Sequence, residues 1–266
     1  MLTSPDNPKI KYFSLLKTKK KRTSSGKFLI EGIHLVSEAL RVGQLENVIY
    51  CSHLTEKFDG KALLGKVISS NVPHEEVNIK IMKQLSQVES PQGIIAIAKP
   101  RRTDLGSLFE IENPSIVIAC GIQDPGNLGT IIRTADAAGC SGLVISSGTA
   151  DPYNEKAIRA SSGSIFHLNI VKVDDIIDLI TSLKRRGIKV ISAVVGADKK
   201  YYEIDYKRPF ALVIGNEGQG LPEAVEKLSD FSVSIPIMGG AESLNAAVSS
   251  AVILYEALKQ RQEYAG

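Results

Sequence analysis

The sequence predicts an α/β protein in two parts, a small α/β unit followed by a larger one built on a parallel sheet. Three observations predict it. Short apolar runs of strand length recur along the chain, and stretches with helical spacing lie between most of them. In the second half those runs are apolar at nearly every position rather than at alternate ones, the pattern of strands covered on both faces. The 266 residues, 43% hydrophobic and 23% charged, suit one large domain or two ordinary ones with a substantial core.

The first unit is read over residues 1–102. Ile10, Phe13 and the pair Leu16 and Lys17 have helical spacing, so residues 7–18 read as a short helix. Lys17, Lys19, Lys20, Lys21 and Arg22 follow, with Ser and Gly behind them, and read as a mobile basic loop. Such a loop meets RNA phosphates without fixed geometry. A solvated charge run and a nuclear import signal are the other readings of the same residues. Residues 28–31, 47–51 and 93–98 read as strands, and 33–42, 60–67 and 79–85 as helices. Residues 99–104 read as an exposed linker.

The second unit is read over residues 103–266. Buried strands are expected at 116–120, 143–146, 168–171, 190–195, 210–215 and 231–235. A helix beginning at Leu128, with Asn127 as its cap, buries Leu128, Ile131, Ile132, Ala135 and Ala138, which leaves Arg133 off the buried face. A last helix is expected from near Ser243. Its residues Leu244, Val248, Ala251, Val252, Tyr255 and Leu258 share one face, suited to a core or to a subunit interface. Glycine-rich turns follow two of the strands, at 215–220 and 239–240. Ligands of parallel sheets bind at the carboxyl ends of the strands, where such turns lie.

Several classes are set aside. Gly121, Gly126 and Gly129 do not form G-x-G-x-x-G, nor do the glycines at 215–220, and neither turn leads into G-K-[ST]. Cys51, Cys120 and Cys140 lack C-x-x-C spacing, and the four histidines are scattered, so reduced cysteines and no metal site are expected. No apolar run approaches a membrane span. The basic start is followed by Glu31, His34 and Glu38, which does not read as a signal peptide. Net charge is only +3, yet residues 1–102 hold 17 Lys+Arg against 9 Asp+Glu, while 103–266 hold 15 against 20. This asymmetry suits a polyanion met by the front of the chain, or simply a solvated basic surface.

Three stretches carry a resemblance. DPGNLGTIIRTADAAG at 124–139, IGNEGQGL at 214–221 and SIPIMGGAESLNAAVS at 234–249 resemble, in order and spacing, the three signature motifs of the SpoU/TrmH family of the SPOUT superfamily. Those proteins are RNA ribose 2′-O-methyltransferases. The opening stretch resembles the family's SpoU-type substrate-binding domain. The resemblance implies a trefoil knot in the second unit, S-adenosyl-L-methionine as cofactor, a homodimer and a cytoplasmic protein that needs no membrane. It implies RNA as substrate, ribosomal RNA foremost because the N-terminal extension looks like that of rRNA-acting members. A tRNA 2′-O-methyltransferase and a non-catalytic RNA-binding protein of the same fold are the alternatives.

Carried over residue by residue, the resemblance makes Arg133 the catalytic arginine, with Asn127, Glu217, Ser243 and Asn245 as the other polar motif positions. A helix cap is the competing reading of Ser243. Gly215, Ile235 and Leu244 match cofactor-binding positions, and Ile214, Gly218 and Met238 adjoin them. Lys19, Lys20, Lys21 and Arg22 are candidate RNA contacts. So is Arg159, for which an ordinary surface arginine is the rival reading. Arginine stays protonated in proteins. Arg133 therefore suits holding a phosphate and stabilising a developing oxyanion better than it suits a base.

Overall fold

In the computed structural model, residues 1–265 are described, and the apolar runs form two separate sheets. In chain order the elements are α1 (Pro8–Leu15), α2 (Lys19–Ser25), β1 (Phe28–Glu31), α3 (Ile33–Arg41), β2 (Leu45–Tyr50), α4 (Ser52–Thr55), α5 (Phe58–Ser69), β3 (His74–Glu76), α6 (Ile79–Leu85) and β4 (Ile94–Ala98). Then come α7 (Leu105–Phe109), β5 (Ser115–Ala119), α8 (Pro125–Ala137), β6 (Gly142–Ile145), α9 (Glu155–Ser161), β7 (Ile170–Lys172), α10 (Ile176–Arg185), β8 (Lys189–Ala193), β9 (Lys199–Lys200), β10 (Phe210–Ile214), α11 (Glu223–Leu228), β11 (Phe231–Ser234) and α12 (Ala246–Ala265). The chain packs as two compact units, Met1–Arg101 with Tyr153–Phe166, and Arg102–Pro152 with the chain from His167 on.

The first unit has a four-stranded sheet in the order β1-β4-β2-β3, with β4 antiparallel to both neighbours and β3 parallel to β2. All five residues of β4 are buried, as a central strand requires. Ile10, Phe13 and Leu16 pack with Ile81, Met82 and Leu85 of α6 over Ile49, Ile95 and Ile97. Residues 153–166, which the sequence reading assigned to the second half, pack in this first unit. Phe28 meets Tyr153 at 4.7 Å and Phe166 at 6.0 Å between ring centroids. His34 hydrogen-bonds the Ser162 carbonyl at 3.1 Å.

The basic run is a helix, not a mobile loop. Thr18 accepts from the Lys21 amide at 3.3 Å and starts α2, and Gly26 ends it in the left-handed region at φ 61°. Arg22 fastens α2 to the end of α1. The residue is 8% exposed, and its Nη1 donates to the carbonyls of Leu16 at 3.2 Å and Lys17 at 2.7 Å. Arg22 therefore leaves the candidate RNA surface, because its guanidinium is spent inside the fold.

The second unit holds a seven-stranded, wholly parallel sheet in the order β7-β6-β5-β10-β8-β11-β9. Every residue of β5 and β10 is buried, which accounts for their unbroken apolar runs. Leu179, Ile180 and Leu183 of α10, with Leu108 and Val225, cover one face over Ile116, Ile118, Val190 and Val213. Helices α8 and α12 pack against each other. The chain builds outward from β5 through β6 to β7, then returns, and β10 enters between β5 and β8. That insertion brings the carboxyl ends of β5, β10, β8 and β11 side by side. The two-residue β9 has no apolar pattern and was not legible in the sequence.

Two helix starts differ from expectation. Asp124, not Asn127, caps α8, its side chain accepting from the Asn127 amide at 2.9 Å, with Pro125 in the first turn. Helix α12 starts at Ala246 rather than near Ser243. Its buried face is Ala246, Ala247, Ser250, Ile253, Leu254 and Ala257. The face expected to pack is the outer one, with Val248 48% and Tyr255 51% exposed.

Replacing Arg22 removes two charge-assisted bonds that nothing else can make. Arg22→Ala is expected to destabilise the protein by about 2 kcal/mol. Lys20→Ala, at an exposed position, is expected to stay within about 0.5 kcal/mol of wild type. Urea denaturation midpoints check both.

Candidate active site

The site is built where β5, β8, β10 and β11 end. After β10 the chain turns through Gly215–Leu221. Asn216 and Gly220 exchange backbone hydrogen bonds, each 3.0 Å, and close the turn into a loop. The Asn216 side chain fills it, its Oδ1 accepting from the amides of Gly218 and Gln219 at 2.9 Å. Its Nδ2 donates to the Gly121 carbonyl at 2.8 Å, which ties the loop to the end of β5. Gly215 is required by space, since a Cβ there would lie 2.7 Å from the backbone carbon of Gly220. Gly121 is required by conformation, at φ 73°. Its amide is shared between Ser146 Oγ at 3.2 Å and Thr149 Oγ1 at 3.0 Å.

Three of the sequence-predicted residues join in one relay. The Asn245 Oδ1 accepts from the amides of Ala247 at 2.9 Å and Val248 at 3.3 Å, so Asn245 caps α12. Its Nδ2 then donates to Asn127 Oδ1 at 3.0 Å. Asn127 Nδ2 donates in turn to Glu217 Oε1 at 2.8 Å, and Glu217 Oε2 accepts from the Gln123 amide at 3.2 Å. The two ends set the direction, because backbone amides only donate and an ionised carboxylate only accepts. Partial burial pushes the Glu217 pKa up. Donation from Asn127 and from the amides of Glu217, Gln123 and Asp124 outweighs that and holds it below the usual glutamate value. A folded-state pKa lowered in this way adds stability above the unfolded value, lost as pH falls through the folded one. The relay is thus intact through the neutral range.

Beside the relay lies a cavity of about 550 Å³, within the range of small-molecule sites. Of the sequence-predicted cofactor positions, Ile214, Gly215, Gly218, Ile235 and Leu244 line it, and so do Glu217 and Ser243. Met238 does not, and it is 96% exposed. Ile235 and Ile237 face the cavity and Met238 turns away. Ser243 is exposed and is not the helix cap; Asn245 is.

Arg133 sits on the exposed side of α8, outside the cavity lining, with no hydrogen bond or ion pair among the described residues. In the first unit, Arg159 pairs with Glu155 at 2.9 Å and donates to the Gln87 carbonyl at 3.3 Å, with its side chain 48% exposed. Lys19 and Lys20 are exposed, and Lys21 lies 5.1 Å from the Tyr12 ring centroid. Sequence reasoning missed Ser146, Thr149 and Gly121. Only their place at carboxyl ends of adjacent strands could have flagged them. Among the described residues no group of three or more His, Cys, Asp or Glu could hold a metal, and no helix is long and apolar enough to cross a membrane.

Residues 114–255 match the SpoU rRNA Methylase family, and residues 7–96 match the MRM3-like substrate binding domain. The chain is 34% identical over 254 residues to the 23S rRNA (guanosine(2553)-2′-O)-methyltransferase RlmP of Bacillus subtilis (strain 168), covering 96% of this chain and 97% of that one. It is 33% identical over 262 residues to the 23S rRNA (uridine(2479)-2′-O)-methyltransferase of Streptomyces viridochromogenes, covering 93% and 88%. The crystal structure of the SpoU methyltransferase AviRb from Streptomyces viridochromogenes in complex with the cofactor AdoMet superposes with a TM-score of 0.85 at 30% identity, covering 97% and 100%. A seven-stranded parallel sheet, three signature motifs meeting at its carboxyl edge and these matches together make the chain a member of the SpoU rRNA methylase family.

Proposed function

We propose that the protein methylates a ribose 2′-hydroxyl of ribosomal RNA with S-adenosyl-L-methionine as donor. The observation that carries the reading is the Glu217–Asn127–Asn245 relay, which fixes three loops around one cavity. The cavity fits the donor: its volume is adequate, and apolar Ile214, Ile235 and Leu244 stand beside the backbone of Gly215 and Gly218, the mix that adenine requires. When bound, S-adenosyl-L-methionine supplies an electrophilic methyl group on a sulfonium.

The chain's own residues have distinct tasks in this reading. The loop Gly215–Leu221 and the segment from Ile235 to Leu244 hold the donor. Asn127 and Asn245 are oriented by the relay and keep α8 and α12 in register. Glu217 anchors the relay as a carboxylate, and Ser243 faces the cavity. Arg133, exposed and charged, binds the phosphate next to the target ribose and stabilises the oxyanion as the hydroxyl loses its proton. Proximity of hydroxyl and donor supplies much of the rate.

Arg133 does not line the cavity of its own chain, and α12 exposes Val248 and Tyr255. Both features support a homodimer in which that helix face is covered and the site is completed near the interface. The reading carries with it a trefoil threading of the chain after β10. Residues 1–102, with which 153–166 pack, serve as the RNA-binding part, with Lys19, Lys20 and Lys21 as phosphate contacts, and the rest of 103–266 serves as the catalytic part. In this reading the protein works in the cytoplasm with its RNA.

Mapping 2′-O-methylation on ribosomal RNA and tRNA from cells with and without the protein is expected to show one ribosomal RNA site lost. Loss on tRNA alone would transfer the activity there, and no lost site would defeat the reading. Arg133→Lys keeps the charge but not the fork. It is expected to lower kcat by about 100-fold, with donor affinity within about twofold of wild type, read by single-turnover kinetics and calorimetry. Gly215→Ala forces a methyl against Gly220. It is expected to weaken donor binding more than about tenfold while the far-ultraviolet circular dichroism stays as in wild type.

A further inference from the structure

The cavity has a chemical bias that the family reading does not use. Its lining contains no Lys, Arg or His, yet three glutamates border it, Glu217, Glu226 and Glu242. Glu217 is occupied by the relay. Glu226, on α11, is half-buried, and its carboxylate has no hydrogen bond or ion pair among the described residues. Glu242 is likewise unpaired but exposed. A carboxylate at a partly desolvated cavity wall with no internal partner favours a cation in that cavity.

We propose that Glu226, assisted by Glu242, makes the cavity select the cationic methyl donor over its neutral spent form, so that the reaction itself loosens the product. The inference rests on the proposed methyl transfer. In that step the hydroxyl oxygen bonds to the methyl carbon, and the carbon–sulfur bond breaks with its electron pair left on sulfur. The hydroxyl proton passes to solvent. The donor thereby loses its sulfonium charge and becomes a thioether, while the cavity wall keeps its carboxylates. The sulfonium's attraction to those carboxylates, present before transfer, is absent after it, which favours release of S-adenosylhomocysteine. Glu226 acts as a specificity-determining residue, and its half-burial gives it more weight than the solvent-screened Glu242.

The test is calorimetric titration of the full-length protein with S-adenosylmethionine and, separately, S-adenosylhomocysteine. Wild type, Glu226→Gln, Glu242→Gln and the double variant are compared at low and high salt. Glu226→Gln is isosteric and lies on a helix surface, and circular dichroism confirms its fold. The ratio of the homocysteine Kd to the methionine Kd is expected to fall about three- to tenfold in Glu226→Gln. The fall in Glu242→Gln is expected to be smaller, and added salt is expected to lower the wild-type ratio. If both ligands bind and the ratio is the same in wild type and Glu226→Gln, the charge selection is wrong and the methyltransferase reading stands. If neither ligand binds wild type, both are wrong.

Discussion

The hydrogen-bond relay from Glu217 through Asn127 to Asn245 is the constraint on which the rest of the site depends. Each residue comes from a different stretch of the chain, and each stretch follows a different strand. Without the relay the start of α12 would be a separate surface turn, and only Asn216 would hold the loops after β5 and β10 together. With it, every amide orientation is dictated from both ends, by helix amides at one and a carboxylate at the other. Each member of this network has a partner on both sides. Asn216 adds a second tie, from the β10 loop to the Gly121 carbonyl.

The sheet order explains why those turns can meet at all. Strand β10 lies between β5 and β8, so its glycine-rich loop emerges next to both neighbours' carboxyl ends. Gly215 lets the loop fold back on itself, and Gly121 lets the β5 end present its carbonyl to Asn216. Backbone geometry thus makes the cavity, while apolar side chains such as Ile214 and Ile235 only furnish its walls. Charge enters last. The acidic lining and the exposed Arg133 sit in different places, which suits a cationic donor in the cavity and a polyanion outside it.

The sequence revealed most of the strands, because β5, β6, β8, β10 and β11 are short apolar runs with no competing pattern. The polar site positions were legible through their motifs, but their local roles were not. Asn245 fell inside the helix expected from near Ser243, whereas it precedes the helix and caps it. The core-facing side of α12 was not legible because small residues, Ala246, Ala247, Ser250 and Ala257, form much of it, whereas periodicity weighted by size favours Val248 and Tyr255. Arg22 was read with its lysine neighbours, since composition cannot tell a guanidinium that solvates phosphates from one that solvates carbonyls. Residues 153–166 were placed by chain order, and only packing against Phe28 reveals that they belong to the first unit.

The central claim is that the relay organises the donor cavity as a single object. A double-mutant cycle on Asn127→Ala and Asn245→Ala, with the free energy of S-adenosyl-L-methionine binding as the readout, tests it most directly. The account expects non-additive losses, with a coupling of about 1 kcal/mol or more between the two positions. Losses that simply add would contradict it, since they would mean the loops hold the donor independently.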